Sequence, residues 1–248
     1  MRKKIIAGNW KMNLNAINVA QLAEGILSGL PNVKSTHEMV VFPSSLHLHM
    51  IVELFRGTGI KVGAQNIYPS KLAAFTGEIC TEQLKDFGIQ YALIGHSERR
   101  QFLGETDEFL NQKVLHVLET GLIPMLCVGE TLGERESGKT FEVVKRQITK
   151  GLANVSKENA EILTIAYEPV WAIGTGKVAT PEQAEEVHAL IRNELNSIFG
   201  SVSNDIPVLY GGSVKPDNIK SLLEKPNIDG GLVGGASQKP ESYLGLFS

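Results

Sequence analysis

The sequence predicts an α/β fold, namely a single eight-stranded parallel (β/α)8 barrel that spans residues 1–248. Short apolar runs rich in β-branched residues recur about every 20 to 40 residues, and helical patterns separate most of them. Strand and helix alternating along a whole chain are typical of a parallel sheet covered by helices. Eight units in 248 residues give about 31 residues per unit, which is the size of a barrel repeat. A doubly wound parallel sheet is the structural alternative.

The eight predicted strands are short and apolar. They are Ile5–Ala7, Met39–Phe42, Ile60–Val62, Tyr91–Ile94, Ile123–Val128, Ile162–Tyr167, Val208–Tyr210 and Gly231–Val233. Two of the helical stripes between them consist of Leu110, Val114, Val117 and Leu118, and of Phe141, Val144, Ile148 and Leu152. No linker rich in proline, glycine or serine divides the chain, which favours one domain.

Composition and charge argue against several classes of protein. The net charge is −3 and no basic run is longer than residues 2–4, so nucleic-acid binding and membrane-surface attraction have no electrostatic support. No segment approaches the roughly 20 apolar residues of a membrane span. The two cysteines, Cys80 and Cys127, form no disulfide framework, and the six histidines do not cluster. We therefore expect a reduced, cytoplasmic setting and no metal site.

Glu168 occupies the most informative stretch of the chain. An apolar run ends at this single carboxylate, and Pro169 follows at once, which holds Glu168 extended at the end of a strand. A loop of about a dozen residues with a glycine pair then leads to Thr180, Pro181 and Gln183, the pattern of a capped helix start. A base beside a movable cover suits chemistry that excludes water. The alternative is a strand-end glutamate and an ordinary surface loop.

Polar residues gather at the carboxyl ends of other predicted strands. Asn9 and Lys11 follow the first strand, and His96 follows the fourth, immediately before a predicted helical turn. The partial positive charge of a helix N-terminus disfavours imidazolium, so we expect a neutral His96 that donates a hydrogen bond to a carbonyl oxygen. Lys11 would supply positive field beside a phosphate or an oxyanion. A structural histidine and a solvated lysine are the alternatives.

Glycines follow the last two predicted strands, in Gly211-Gly212-Ser213 and Gly234-Gly235. Backbone N–H groups without a neighbouring side chain approach an anion closely, and these two loops are where barrels commonly bind phosphate. Ordinary turns are the alternative at each loop taken alone.

Two other glycine patterns resemble nucleotide motifs and are rejected. The spacing Gly174-x-Gly176 does not follow its strand directly, as a dinucleotide fingerprint does. Residues 133–140 satisfy the Walker A spacing, but two glutamates inside the loop would repel phosphate.

These motifs together resemble those of the triosephosphate isomerase family over nearly the whole chain. The motifs that carry the resemblance are Ala7–Asn13, Ile94–Arg100, Cys127–Thr131, Tyr167–Gly176, Tyr210–Ser213 and Leu232–Ser237. Several matches in the right order are far more specific than any one of them. The resemblance implies a TIM barrel and a cytoplasmic enzyme of glycolysis and gluconeogenesis that interconverts dihydroxyacetone phosphate and D-glyceraldehyde 3-phosphate without a cofactor.

The resemblance also implies a role for each site residue. Glu168 would be the base that shuttles a proton between two carbons, His96 the neutral electrophile, and Asn9 and Lys11 catalytic contacts to the substrate. The residues implied to bind phosphate are Gly174, Ser213, Gly234 and Gly235. Glu98 and Cys127 would support the site.

Residues 66–80 form a long irregular segment after the third strand. The resemblance implies that this arm reaches into a second subunit of a homodimer and places Thr76 near the partner's site. The chain departs from the family pattern at Ala73, where glycine is usual, and at Gln238, where leucine is usual. The departure at Ala73 affects the structure of the arm, and the departure at Gln238 affects packing after the last strand.

Two other functions compete. Another barrel enzyme of phosphorylated sugars, such as a Schiff-base aldolase, requires a lysine inside the pocket, and the sixth strand offers Glu168 instead. A phosphate-binding protein without turnover would have no use for Glu168, His96 and Lys11 together.

Overall fold

The computed structural model describes residues 2–175 and 178–247 of the chain. Within them, eight parallel strands form a closed barrel in sequence order, from β1 to β8. The closure is made by β1 and β8, where Ile5 aligns with Gly230 and Gly8 with Val233. The predicted (β/α)8 barrel is confirmed, and the doubly wound alternative is wrong. Gly176, part of the predicted mobile loop, lies outside the described residues.

The strands lie close to their predicted positions. Their bounds are β1 Ile5–Asn9, β2 Glu38–Phe42, β3 Lys61–Ala64, β4 Tyr91–Ile94, β5 Ile123–Val128, β6 Thr164–Tyr167, β7 Val208–Tyr210 and β8 Gly230–Val233. The sixth strand starts two residues later than predicted because Ile162 is 37% exposed and lies outside the sheet. The third strand runs on to Ala64, since Gly63 and Ala64 pair with Tyr91 and Ala92.

The α-helices cover the outside of the barrel. Their bounds are α1 Ala16–Gly29, α2 Leu48–Leu54, α3 Thr81–Asp86, α4 Ser97–Phe102, α5 Asp107–Glu119, α6 Leu132–Glu136, α7 Thr140–Gly151, α8 Lys157–Ala160, α9 Pro181–Phe199, α10 Ile219–Leu223 and α11 Pro240–Leu244. None of the described helices has the length and apolar character needed to cross a membrane.

Side chains of each strand alternate between two apolar layers. Ile5, Ala7 and Phe42 belong to the cluster inside the barrel, whereas Ile6 and Val41 belong to the larger cluster between the sheet and the helices. This alternation follows from the two-residue period of a strand. Because both faces of the sheet are covered, the strands read as nearly continuous apolar runs in the sequence.

The predicted start of α9 is confirmed in detail. The Thr180 hydroxyl accepts from the Gln183 backbone N–H, the Gln183 side chain accepts from the Thr180 N–H, and Pro181 occupies the first turn. One member of a predicted stripe is misplaced, because Phe141 is 44% exposed at the start of α7. The buried side of that helix is formed instead by Val143, Val144 and Ile148.

Residues 133–140 are mainly helical and are not a phosphate loop. Gly133 lies inside α6, whose start at Thr131 is closed by a reciprocal capping box with Glu134. A phosphate-binding loop of the Walker type leaves its strand directly and keeps its backbone N–H groups free for phosphate. The structure therefore supports the rejection of this motif.

His188 is fully buried on α9, between the rings of Tyr167 and Tyr210. Its Nδ1 lies 3.2 Å from the carbonyl oxygen of Asn227, and its Nε2 has no hydrogen-bond partner among the described residues. Burial lowers the pKa of His188 to about 3, because a charged imidazolium would lose its hydration there.

Candidate active site

A cavity of about 690 Å³ opens at the carboxyl ends of the strands. It is lined by residues that follow five different strands, including Asn9, His96, Glu168, Ser213 and Gly234. In a barrel of this type, loops after the strands form the active site, because the carboxyl ends of parallel strands all meet at one rim. The cavity is therefore the candidate active site.

Glu168 directly follows β6 and is only 2% exposed. Its Oε2 accepts a hydrogen bond from the backbone N–H of Ser97 at 2.9 Å, and its Oε1 lies 3.0 Å from His96 Nε2. Ser97 is the first residue of α4, so the carboxylate is bound at a helix N-terminus. These bonds satisfy a buried carboxylate that would otherwise be costly to desolvate.

His96 is the N-cap of α4, and its ring is set by three neighbouring groups. Nδ1 lies 3.3 Å from the backbone N–H of Glu98 and 3.3 Å from the Glu98 carboxylate, while Nε2 faces the Glu168 carboxylate. A neutral imidazole has one proton, and the contact with Glu168 requires that proton on Nε2. Nδ1 then accepts from the Glu98 N–H. In the neutral ring expected at a helix N-terminus, these contacts place the proton on Nε2.

Lys11 is held in an uncommon conformation beside Asn9. Its φ of 52° lies in the left-handed region, and its backbone N–H donates to Asn9 Oδ1 at 3.0 Å. The Lys11 ammonium group lies 2.6 Å from Glu98 Oε1. Left-handed backbone in a residue other than glycine costs about 1 kcal/mol or more and persists only where the surroundings hold it. The turn places the Lys11 side chain at the cavity wall.

Two glutamine side chains form hydrogen bonds to the backbone of the segment around Lys11. Gln65 Nε2 donates to the carbonyl oxygens of Lys11 and Phe42, each at 2.9 Å. Gln238 Nε2 lies 3.3 Å from the carbonyl oxygen of Trp10. Gln238 stands where the family resemblance predicts leucine, and its side chain forms a hydrogen bond to the carbonyl oxygen of Trp10.

The loop after Glu168 is tied to a buried carboxylate at its start. Glu130 is fully buried, and its Oε1 accepts from Trp171 Nε1 at 2.8 Å, while the Tyr167 hydroxyl donates to both oxygens. Arg135 lies 5.1 Å from the centre of the Trp171 ring and 3.5 Å from Glu130. Beyond this anchor, Gly174 has a φ of 68° and is exposed. The loop therefore has a fixed base and an open tip.

Two glycines at the rim are required by close approach to Glu168. A Cβ on Gly129 would lie 1.7 Å from the Glu168 carbonyl oxygen, and one on Gly211 would lie 2.8 Å from Glu168 Cγ. Gly211 thus makes room for the carboxylate as well as lining the cavity. Gly234 and Gly235 have open space on the cavity side, apart from Lys11 Cε at 3.6 Å from a Gly234 Cβ.

Cys127 lies beneath the site rather than in its wall. It is fully buried on β5 inside the barrel and does not line the cavity. Burial, and then the Glu168 carboxylate, raise the pKa of the Cys127 thiol well above its ordinary value. The thiol therefore remains protonated and acts as packing next to Glu168.

The arm of residues 66–80 contains no helix or strand. Thr76 and Ala73 are both exposed on it and do not line the cavity. Large exposed apolar side chains lie on the loops and short helix that follow the first four strands: Met12, Leu46, Leu72, Phe75 and Phe102. Because those strands are neighbours in the barrel, these residues share one side of the molecule, which we call the apolar side.

The structure brings most of the predicted site residues into one cavity: Asn9, Lys11, His96, Glu168, Gly174, Ser213, Gly234 and Gly235. Glu98 joins them through Lys11 and His96. Sequence reasoning missed Ser97 as the partner of Glu168, since its contribution is a backbone N–H. It also missed Glu130. This carboxylate stands two residues after the end of the predicted fifth strand, with Gly129 between them, and that position was a usable signal.

Comparison with known proteins identifies the family of the chain. A family model described as triosephosphate isomerase matches residues 4–248. The chain is 57% identical over 250 residues to the triosephosphate isomerase of Leptospira biflexa and 55% identical to that of Leptospira borgpetersenii, with all of each chain covered. It is 50% identical over 247 residues to the triosephosphate isomerase of Carboxydothermus hydrogenoformans, covering 99% of this chain and 98% of that protein.

Proposed function

The chain belongs to the triosephosphate isomerase family, and we propose that Glu168 and His96 catalyse its interconversion of dihydroxyacetone phosphate and D-glyceraldehyde 3-phosphate. The observation that carries the proposal is their geometry. A carboxylate at 2% exposure and an imidazole meet at 3.0 Å in the wall of one cavity. Proton transfer next to a carbonyl group needs this pair, a base and a hydrogen-bond donor.

The carboxylate of Glu168 removes a proton from the carbon next to the substrate carbonyl. The electron pair of that C–H bond moves to the carbonyl oxygen and gives an enediolate. A proton then moves from the hydroxyl group on the first carbon to the former carbonyl oxygen, and Glu168 returns its own proton to the neighbouring carbon. The first carbon becomes the new carbonyl carbon, which completes the exchange of aldehyde and ketone. His96 Nε2–H donates a hydrogen bond to the oxygen on which charge develops, and Lys11 adds positive field there.

Glu168 must leave His96 and Ser97 before it reaches the substrate, because both of its oxygens are occupied by these donors. Glu168 and the loop that follows it are continuous in the chain, and Ile173 lines the same cavity. Closure of residues 173–176 therefore moves Glu168 towards the substrate and releases His96 Nε2–H for the carbonyl oxygen.

The phosphate group is bound by backbone N–H groups at Gly174, Ser213, Gly234 and Gly235. Three of these residues belong to the loops after β7 and β8, and Gly174 belongs to the loop that closes. Glycine lets the backbone approach an anion without a side chain in between. Asn9 and Lys11, at the end of β1 beside β8, also contact the substrate.

The chain acts as one barrel domain over residues 1–248 and as a homodimer in the cytoplasm. The apolar side supports the dimer, since contiguous exposed apolar patches mark interaction surfaces. The arm of residues 66–80, with Thr76 near its tip, lies on the same side and inserts towards the partner's site. The reaction is a step of glycolysis and gluconeogenesis.

A Schiff-base aldolase is the second candidate, and the charge of the site argues against it. The side-chain nitrogen of Lys11 is engaged in an ion pair with Glu98 at 2.6 Å, whereas imine formation needs a free amine. Borohydride with substrate would reduce such an imine and leave a covalent adduct on the chain. We expect no adduct by mass spectrometry.

The deciding test of the proposed function is a coupled assay. Dihydroxyacetone phosphate is converted in the presence of a metal chelator, and glyceraldehyde 3-phosphate is detected by its oxidation. We expect turnover that the chelator leaves unchanged. Absence of turnover in a folded protein would contradict the proposal.

A further inference from the structure

The cavity extends beyond the residues that the isomerisation uses. Besides the proposed catalytic and phosphate-binding residues, it is lined by Asn13, Lys215, Asp217, Lys239 and Ser242. Lys215 lies two residues after Ser213, in the connection between β7 and α10, and Lys239 lies four residues after Gly235, directly before α11. We call the region between these two lysines the outer rim.

The charged groups of the outer rim have no partners in the described chain. Neither ammonium group of Lys215 and Lys239 forms an ion pair or hydrogen bond with a described residue, and both side chains are exposed. The side chains of Asn13 and Ser242 are also without a hydrogen-bond partner among the described residues. Asp217 is the one acidic group on this rim.

The charged groups around Glu168 have a negative sum, whereas those of the outer rim have a positive sum. Lys11 (+1) is offset by Glu98 (−1), and Glu168 (−1) remains, which gives −1 with His96 neutral. On the outer rim, Lys215 and Lys239 (+2) with Asp217 (−1) give +1. A second anionic group on a ligand is therefore attracted to the rim, while its first phosphate occupies the neutral backbone N–H groups.

We propose that Lys215 and Lys239 form an outer anion subsite that binds the second phosphate of a linear bisphosphorylated ligand. The proposal rests on the proposed phosphate site, because that site holds the ligand's first phosphate. Lysine contacts phosphate as a mobile point charge and so accepts ligands of different lengths. Bisphosphates of suitable length then compete with the triose phosphate, so the subsite makes the enzyme sensitive to bisphosphorylated sugars.

The test uses straight-chain diol bisphosphates with three to six carbons and the matching monophosphates. Affinity for the intact chain is measured by calorimetry at low salt, which needs no turnover. For the best length we expect the bisphosphate to bind about 5-fold or more tighter than the monophosphate, the effect of two partly exposed ion pairs. This advantage should shrink at high salt.

The deciding variant is Lys215→Met/Lys239→Met. We expect it to lose the bisphosphate advantage, while its affinity for the monophosphate and its isomerase turnover change less than about 2-fold. The matched control is Lys34→Met/Lys220→Met, which removes two exposed lysines outside this cavity and lowers the net charge equally. The control should keep the advantage.

Three outcomes would overturn the subsite. The bisphosphates could bind no tighter than the monophosphates at any length, the rim variant could keep the advantage, or the control could lose it equally. A chain that binds neither compound would overturn the inner phosphate site and the outer subsite together. A chain that binds both compounds but shows no isomerase turnover would overturn the proposed function alone.

Discussion

Glu168 Oε1 lies 3.0 Å from His96 Nε2, so the proposed base and the proposed electrophile share one hydrogen bond. The same contact explains two properties of the site. It places the one proton of a neutral imidazole on Nε2, and it keeps a buried carboxylate satisfied together with the Ser97 N–H. In the proposed catalytic step, the hydrogen bond between Glu168 and His96 breaks, and each of the two groups contacts the substrate instead.

Replacing Glu168 with alanine should lower turnover by about 10²–10⁴-fold, which corresponds to about 3–5 kcal/mol of activation free energy. The reason is the loss of the only described carboxylate that lines the cavity next to His96. Steady-state kinetics on dihydroxyacetone phosphate measure the change. Glu142→Ala, at an exposed position on α7, is the control and should leave turnover unchanged. Near-normal turnover of Glu168→Ala would remove Glu168 from the mechanism.

His96 should be the neutral Nε2–H tautomer at pH 7. Nitrogen NMR of the imidazole rings distinguishes a protonated from an unprotonated nitrogen, and His96→Gln identifies the signals of this ring among six histidines. We expect an unprotonated Nδ1 and a protonated Nε2, because the Glu98 N–H faces the former and the Glu168 carboxylate the latter. A ring with both nitrogens protonated at pH 7 would contradict the assignment.

A charge at Thr76 should weaken both association and activity. Thr76→Arg places a cation on the arm that we propose to insert beside a second subunit, where burying an unpaired charge is costly. Sedimentation velocity and turnover at several protein concentrations measure the two effects. Thr149→Arg, on the exposed side of α7, is the control and should remain dimeric. A fully active monomer would argue against the proposed role of the arm.

Removing residues 173–176 should leave the barrel folded but release the intermediate. The enediolate has a phosphate on the neighbouring carbon and expels it in water, giving methylglyoxal after rearrangement. We propose that the loop excludes water and holds the phosphate near Gly174. We expect slower isomerisation and a larger ratio of free phosphate to isomerised product.

The control for the shortened loop is Glu168→Asp, a slow enzyme that keeps the loop intact. Its ratio of phosphate to product should stay close to that of the unaltered chain. If the shortened enzyme is slow and its ratio is unchanged, the loop contributes to binding and does not protect the intermediate.

His188 should make stability depend on pH below neutrality. Its pKa is about 3 in the folded chain against 6.5 for the free side chain, so the unfolded chain binds the proton more readily. The contribution of neutral His188 to the free energy of unfolding is complete above about pH 6.5. It decreases by about 1.4 kcal/mol per pH unit as the pH falls from there towards about 3. Denaturant unfolding at fixed protein concentration between pH 5 and pH 8 measures the slope.

His188→Phe should show a smaller slope than the unaltered chain, since phenylalanine does not titrate. His49→Gln, at an exposed position, should keep the full slope. Burial also lowers the pKa of His37, but that residue is present in every variant and cancels in the comparison. Equal slopes for His188→Phe and the unaltered chain would contradict the prediction.

Much of the barrel is readable from the sequence because its signals are local. The apolar runs at β4 and β5 are long enough to be strands and too short to be helices, and the helical pattern between them predicts that they are parallel neighbours. Thr180, Pro181 and Gln183 predict the start of α9 because capping bonds join residues three apart. Glu168 and His96 were recognisable as site residues because Glu168 directly follows β6 and His96 stands two residues after the end of β4.

What those residues do to one another was decided by the tertiary structure. The bond from Ser97 to Glu168 joins groups 71 positions apart, and it forms because β4 and β6 flank β5 in the sheet, so that their carboxyl ends lie close together on one rim. The contacts of Gly129 and Gly211 with Glu168, and of Gln238 with Trp10, arise in the same way. Hydrophobic periodicity determines which side of an element is buried, whereas hydrogen bonds between distant loops depend on the register of the closed sheet.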